Sequence, residues 1–269
     1  MRHGRSTVSR KPRRTDFRKS ISMKSLLCAA RAALIALSLT ATVANANVLI
    51  AGTRVVFDAQ DGEVTVRLTN DNAQPALVEA WIDDGDPNST PNTAKAPFLI
   101  TPPLFRIDAH KDQNLRIIST PAPLPSDRES LFWLNVLEIP PKPSGQQYAG
   151  KNTLQLAIRS RLKFFYRPAN LAGDPNKAAE QVTFKAVPDG QGYALEVHNP
   201  TPYHVTFIQT SLTIDGKAYT ADTGMVDPLG NLRLKIKGLT EAPATGTTVA
   251  YNVINDFGAT VSYKGSVTP

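Results

Sequence analysis

The chain has 269 residues, room for one large domain or two small ones, and a formal charge of +7 from 30 Lys and Arg against 23 Asp and Glu. Ten of the basic residues and a single acid, Asp16, lie in residues 1–46, so residues 47–269 hold 20 basic and 22 acidic side chains and no nucleic-acid-binding body is indicated. The one cysteine, Cys28, lies in that same segment, which leaves residues 47–269 without a disulfide, a Cys-based zinc site or a thiol nucleophile.

In chain order, Met23-Lys24-Ser25 leads into the apolar stretch Leu26–Val43 and then Ala44-Asn45-Ala46. A basic end, an apolar stretch and an A-x-A site are the three parts of a secretory signal. A membrane anchor is the competing reading. Arg31 interrupts the stretch, however, and Ala32–Leu39 falls short of the roughly 20 residues a bilayer needs. Cleavage after Ala46 is expected, with a mature chain beginning at Asn47 beyond the inner membrane and no stable membrane insertion. Met1–Ser22 reads as an over-extended start or a longer basic end, so Met1 and Met23 both stand as candidate starts.

After Ala46 the periodicity is short and mostly two-residue. Arg54–Phe57, Val64–Leu68, Leu77–Ile82, Leu115–Ile118, Leu131–Leu137 and Leu154–Tyr166 are followed by Val182–Ala186, Tyr193–Val197, Val205–Ile214, Leu232–Ile236, Thr248–Ile254 and Thr260–Tyr263. These runs are rich in Val, Ile, Thr, Phe and Tyr, with turn residues and prolines between them, and read as strands. About fourteen strands fit two sandwiches of about seven better than one barrel. The boundary falls in Pro168–Pro175, which gives a signal segment at 1–46 and domains at 47–168 and 169–269. In Leu154–Tyr166 the even positions Leu154, Leu156, Ile158, Leu162, Phe164 and Tyr166 share one face, and Gln155, Arg159, Arg161 and Lys163 share the other. That run is either a long core strand or an edge offering its apolar row to another chain.

Catalytic and metal motifs are missing. His110, His198 and His204 show no metal-binding spacing, and no G-x-S-x-G elbow, Walker loop or G-x-G-x-x-G is present. Asp83-Asp84 lies in a Gly/Pro/Asn-rich stretch and reads as a solvated loop. The expectation is a protein that is not an enzyme and has no cofactor and no metal.

Leu124-Pro-Ser-Asp-Arg-Glu-Ser-Leu-Phe-Trp-Leu-Asn-Val-Leu-Glu-Ile-Pro-Pro141 resembles the signature segment of the periplasmic pilus chaperones, the PapD-like family. Thr53–Phe57, Asn70–Asn72, Glu79–Ile82, Thr101–Pro103, Leu154–Ile158, Lys163–Pro168, Asn199–Tyr203 and Ile254–Gly258 match in the family's order, so the resemblance spans residues 47–269. It implies an all-β fold of two immunoglobulin-like β-sandwich domains at an angle with a cleft between them, in the periplasm. It also implies a chaperone that completes pilin subunits with a donor strand and delivers them to an outer-membrane usher. The runner-up is a secreted two-domain adhesin or scaffold.

Residue by residue, the resemblance implies a donor row of Leu154, Leu156 and Ile158, extended to Leu162. Arg54 and Lys163 become the anchor for a pilin's terminal carboxylate, and Glu129, Arg167 and Asp256 an interdomain ion network. Thr101, Pro103, Leu104 and Arg116 fall where the family meets the usher. The short polar connection Lys142–Thr153 resembles the short-loop subclass, and the disulfide some members carry in the second domain is absent. The resemblance also allows a free protein that caps its own strand by dimerising. It assigns no role to Arg159 or Arg161.

Overall fold

The structure, a computed structural model, describes residues 48–144 and 150–269. The signal expected at 1–46, the expected new start Asn47 and the middle of the Lys142–Thr153 connection lie outside the described residues.

The first half contains β1 (Val48–Ile50), β2 (Arg54–Asp58), β3 (Glu63–Asn70), β4 (Ala76–Asp83), β5 (Phe98–Thr101), β6 (Leu104–Ile107), β7 (Asp112–Ser119), β8 (Ser130–Ile139) and β9 (Ile158–Arg167). They form a four-stranded sheet, β1-β3-β7-β5, and a five-stranded sheet, β2-β9-β8-β4-β6. Alternate residues of both sheets meet in one core, with Leu68, Leu115 and Ile117 from one and Phe57, Val78, Leu134 and Phe164 from the other sealed from solvent. Phe98 plugs this core, its ring centroid 4.8–6.0 Å from those of Phe57, Phe132, Phe164 and Tyr166.

After a short 3-10 helix at Pro175–Glu180, the second half contains β10 (Thr183–Asp189), β11 (Gly192–His198), β12 (Val205–Ile214), β13 (Lys217–Ala221), β14 (Gly224–Val226), β15 (Asn231–Lys235), β16 (Thr248–Ile254) and β17 (Thr260–Thr268). The order is β13-β12-β16-β17-β10-β11-β15, with β14 also on β12. The two layers are joined along one edge by a short parallel pairing, Phe184 with Val267 and Lys185 with Thr268. An isolated bridge, Ala221 with Ile236, joins the other edge. The second sandwich is therefore nearly closed, around Phe184, Phe207, Leu212, Leu195 and Leu234.

Each domain is locked by a buried asparagine. The Asn70 amide donates to the carbonyls of Gln74, Ile107 and Asp108. The Asn199 amide donates to Tyr203 and Asp227, while its oxygen accepts from the Thr201 N–H and hydroxyl. Both groups lie out of water, where an unpaired amide would be costly, so these turns have one low-energy shape.

Three expectations need correction. The described residues contain seventeen strands, because β1, β5, β6, β13 and β14, at three to five residues each, are too short to show a period. The run 154–166 is not one strand: β9 begins at Ile158, and Leu154–Ala157 pairs with nothing. The reason is its neighbour, since β8 ends at Ile139 before Pro140 and Pro141, and the ladder stops at Glu138 opposite Ile158. Finally, Asp83 is not in a solvated loop but wholly buried at the end of β4. Among the described residues no helix is long and apolar enough to cross a membrane.

Candidate functional site

Strand β2 runs parallel to β9 from Arg54 opposite Lys163 to Asp58 opposite Arg167. Two features follow. The half of β9 from Lys163 to Arg167 has a strand on both sides, but Ile158–Leu162 has only β8, so one backbone edge there is open. Next to that edge, two cations stand directly across a ladder, a placement sheets normally avoid because like charges repel.

Both cations reach the second domain. Arg54 Nη1 donates to the Ile254 carbonyl at 3.0 Å, and Lys163 Nζ donates to Thr206 Oγ1 at 3.2 Å. Among the described residues neither has an ion-pair partner within 4 Å, and Arg54 Nε is buried with no acceptor. Burial, and then the charge of Arg54, lowers the Lys163 pKa to about 8. Burial lowers Arg54 too, against the pull of Asp256 and Glu129. Lys163 opens on a cavity of about 350 Å³ lined from the second domain by Thr206, Ile208, Thr223 and Met225. A half-buried, doubly cationic seat of this kind suits a carboxylate, which two charge-assisted donors can hold in one orientation.

The apolar row runs through the unpaired segment before β9 and into its first residue. Leu154, Leu156 and Ile158 are 84%, 65% and 45% exposed. Leu162, expected as an extension, is only 8% exposed and sits opposite Leu134 within the first domain, so the open row stops at Ile158. Gln155 donates to the Pro140 carbonyl, tying the unpaired segment back toward β8.

The structure brings Glu129, Arg167 and Asp256 together. Arg167 donates to Glu129 Oε1 from Nε at 2.8 Å and Nη2 at 2.6 Å, and to Asp256 Oδ2 at 2.9 Å. Sequence reasoning missed His204, whose N–H and Nδ1 both donate to Glu129 Oε2, at 2.8 and 3.0 Å. Its place just after the matched run Asn199–Tyr203 was the available signal. Burial opposes the charge on Glu129, but the His204 hydrogen bond and the Arg167 cation outweigh it and hold its carboxyl below the usual range. Gly258 completes this junction. At φ +80 it approaches so closely that a Cβ would lie 2.6 Å from Thr53 Oγ1.

Thr101 is the ladder partner of Arg116, which is exposed and ion-paired with Glu63, while Pro103 and Leu104 follow at the exposed start of β6. Among the described residues no group of His, Cys, Asp or Glu could hold a metal.

The sequence profile of the pili and flagellar-assembly chaperone PapD N-terminal domain matches residues 47–172, and that of the pili assembly chaperone PapD C-terminal domain matches 177–265. The chain belongs to the PapD pilus-assembly chaperone family. It is a periplasmic chaperone of fimbrial assembly and not an enzyme, and the adhesin or scaffold alternative falls away. Chaperone protein FimB/FhaD of Bordetella pertussis is 45% identical over 232 residues, 84% of this chain and 91% of that protein. The crystal structure of the YadV chaperone is 38% identical and superposes with a TM-score of 0.70 over 82% of this chain and all of its own. The Salmonella enterica SafA pilin in complex with the SafB chaperone gives 28% identity and a TM-score of 0.67, over 84% of this chain and 99% of that one.

Proposed function

We propose that this chaperone captures pilin subunits by lending them a strand. The subunit's terminal carboxylate sits between Arg54 and Lys163, and its C-terminal strand pairs with the open edge of β9. Leu154, Leu156 and Ile158 then fill the groove left by the subunit's missing strand. An incomplete sandwich exposes apolar surface and unpaired backbone groups, and an added strand satisfies both. Anchoring one end sets the register, which matters because a slip of one residue turns the row to the other face. Each Leu or Ile so buried contributes about 1.5–3 kcal/mol. The observation that carries this reading is the contiguity of three exposed apolar residues, one open strand edge and a cation pair on adjacent strands.

The same reading extends outward. The Glu129–Arg167–Asp256 network fixes the angle between the domains, since its members come from both. Met1–Ala46 is removed on export, leaving domains 47–168 and 169–269. Thr101, Pro103, Leu104 and Arg116 present a partly apolar, partly cationic surface to the usher. Free copies cap each other through the same β9 edge. The shortness of Lys142–Thr153 supports membership of the short-loop subclass.

The test is co-purification of pilin from periplasm. Wild type retains pilin, whereas Arg54→Ala, Lys163→Ala and Leu156→Asp lose it while remaining folded. Retention by both anchor variants overturns the reading.

A further inference from the structure

The outer face of the five-stranded sheet carries a cluster to which the capture mechanism gives no part. Three neighbouring strands each contribute two side chains: Trp81 and Asp83 from β4, Trp133 and Asn135 from β8, and Arg159 and Arg161 from β9. Arg161 lies 4.3 Å from the Trp133 ring centroid and Arg159 lies 4.8 Å from that of Trp81. Arg161 Nη2 donates to Asp83 Oδ1 at 2.6 Å. Arg159 donates to Asn135 Oδ1 at 2.7 and 2.9 Å, to Ser89 Oγ at 3.2 Å and to the Pro87 carbonyl at 2.9 Å. Asp83 is wholly buried and also accepts from Asn135, Ser89 and the Gly85 N–H. Burial of Asp83 works against its charge, yet these donors, Arg161 first, hold its carboxyl below the ordinary value.

The placement matters. Arg159 and Arg161 flank Ser160 on the one stretch of β9 that has a single neighbouring strand, and they point away from the face of Ile158 and Leu162. A strand held on one side frays more readily than one held on both. Here the missing neighbour is replaced by side-chain ties across the back, to β8, β4 and the loop after β4. Neither the free backbone edge nor the apolar row is used in making them.

We propose that Asp83, Arg159 and Arg161, with Trp81 and Trp133 beneath the two guanidinium groups, are positioning residues that hold the open half of β9 in strand form before a subunit arrives. The proposal rests on the donor-strand reading. A strand already ordered loses less conformational freedom on binding, so the cluster acts on affinity without touching the partner.

The test uses the purified protein and two synthetic peptides of alternating Val and Thr, one with a free C-terminal carboxylate and one amidated. Arg159→Gln is the mild variant, because Asp83 keeps Arg161, Asn135, Ser89 and Gly85; Asp83→Asn is the severe one. Trp81 and Trp133 are the two tryptophans of the chain, so their emission reports directly whether the cluster is intact. In Arg159→Gln, hydrogen exchange should quicken at Ile158–Leu162 and stay slow at Lys163–Arg167. Affinity for both peptides should fall by about tenfold, the scale of one or two immobilised side chains, with the ratio between them unchanged. Exchange that quickens evenly through the first domain, or peptide affinities equal to wild type with altered emission, overturns the proposal. Failure of the anchor reading looks different, because wild type would then bind the free and amidated peptides equally. If wild type binds neither, the donor-strand reading falls and exchange decides alone: unchanged protection at Ile158–Leu162 in Arg159→Gln and Asp83→Asn overturns the clamp as well.

Discussion

Glu129 and His204 face each other across the domain junction, and the carboxylate oxygen Oε2 of one takes both the backbone N–H and the ring Nδ1–H of the other. The second oxygen is committed to Arg167, so this acid has no spare acceptor for water to exploit. Arg167→Ala leaves Glu129 buried with its cation gone, a loss on the scale of about 3–5 kcal/mol. The expected result in calorimetry is a split of one unfolding transition into two, one for each domain. A single transition at an unchanged temperature contradicts the assignment.

The same acid predicts a pH response. Its folded-state pKa lies below the ordinary 4.5, so its contribution is fully present above that value. It is lost as pH falls below 4.5 and through the lower folded-state value. Acid should therefore loosen the junction before it unfolds either core, which small-angle scattering across that range can follow.

Lys163 predicts the opposite limb. With a pKa of about 8, it is charged at neutral pH and loses its proton well before an ordinary lysine. Capture of a carboxylate should weaken as pH rises through about 8, and Lys163→Arg should flatten the profile. Folding stability should move the other way. Between about 8 and 10.5 the unfolded chain holds the proton that the folded one has shed, so stability rises with pH. Chemical denaturation at several pH values separates the two effects.

Leu156 and Leu162 share a periodicity but differ in fate. Leu156→Asp should leave thermal stability unchanged, because the side chain stands in water, and should abolish capture by placing an unpaired charge in the partner's apolar groove. Leu162→Ala should cost about 2–5 kcal/mol of stability by opening a cavity. Equal melting temperatures for the two variants would refute this division of the run 154–166.

Gly258→Ala should destabilise the turn that carries Asp256, both through its positive φ and through contact with Thr53 Oγ1. The conformational part is about 1–3 kcal/mol and should survive in a Thr53→Ala background. Only the steric part should be relieved there, which a double-mutant cycle by thermal denaturation measures.

The two-residue periods made the long strands legible, since β3, β4, β7, β8, β12 and β16 each keep one buried face. The short ones were not, because a strand such as Phe98–Thr101 owes its existence to neighbours far away in the chain. The run 154–166 misled for a related reason. Its alternation continues past the point where β8 stops, and alternation cannot report where a partner ends. Motif order brought Arg54 and Lys163 to attention, yet nothing local foretold that they would stand directly opposite each other. Asp83 was misread because its Gly/Pro/Asn-rich surroundings describe the loop after it, while the arginines that claim it lie nearly eighty residues on.

The nearly closed sheet of the second domain bears on valency. Its outermost strands are bridged where Ala221 of β13 meets Ile236, the residue after β15, and its two layers are joined by the pairing of β10 with β17, so it offers little free backbone to a further chain. In the first domain the outermost strands β1, β2, β5 and β6 have three to five residues each. On the proposed donor-strand reading, strand-mediated association is thereby directed to one seat per molecule. A molecule with one such seat terminates a chain of strand exchanges instead of propagating it, which keeps a protein that carries an exposed apolar row beside an open strand edge from growing into a fibre of its own.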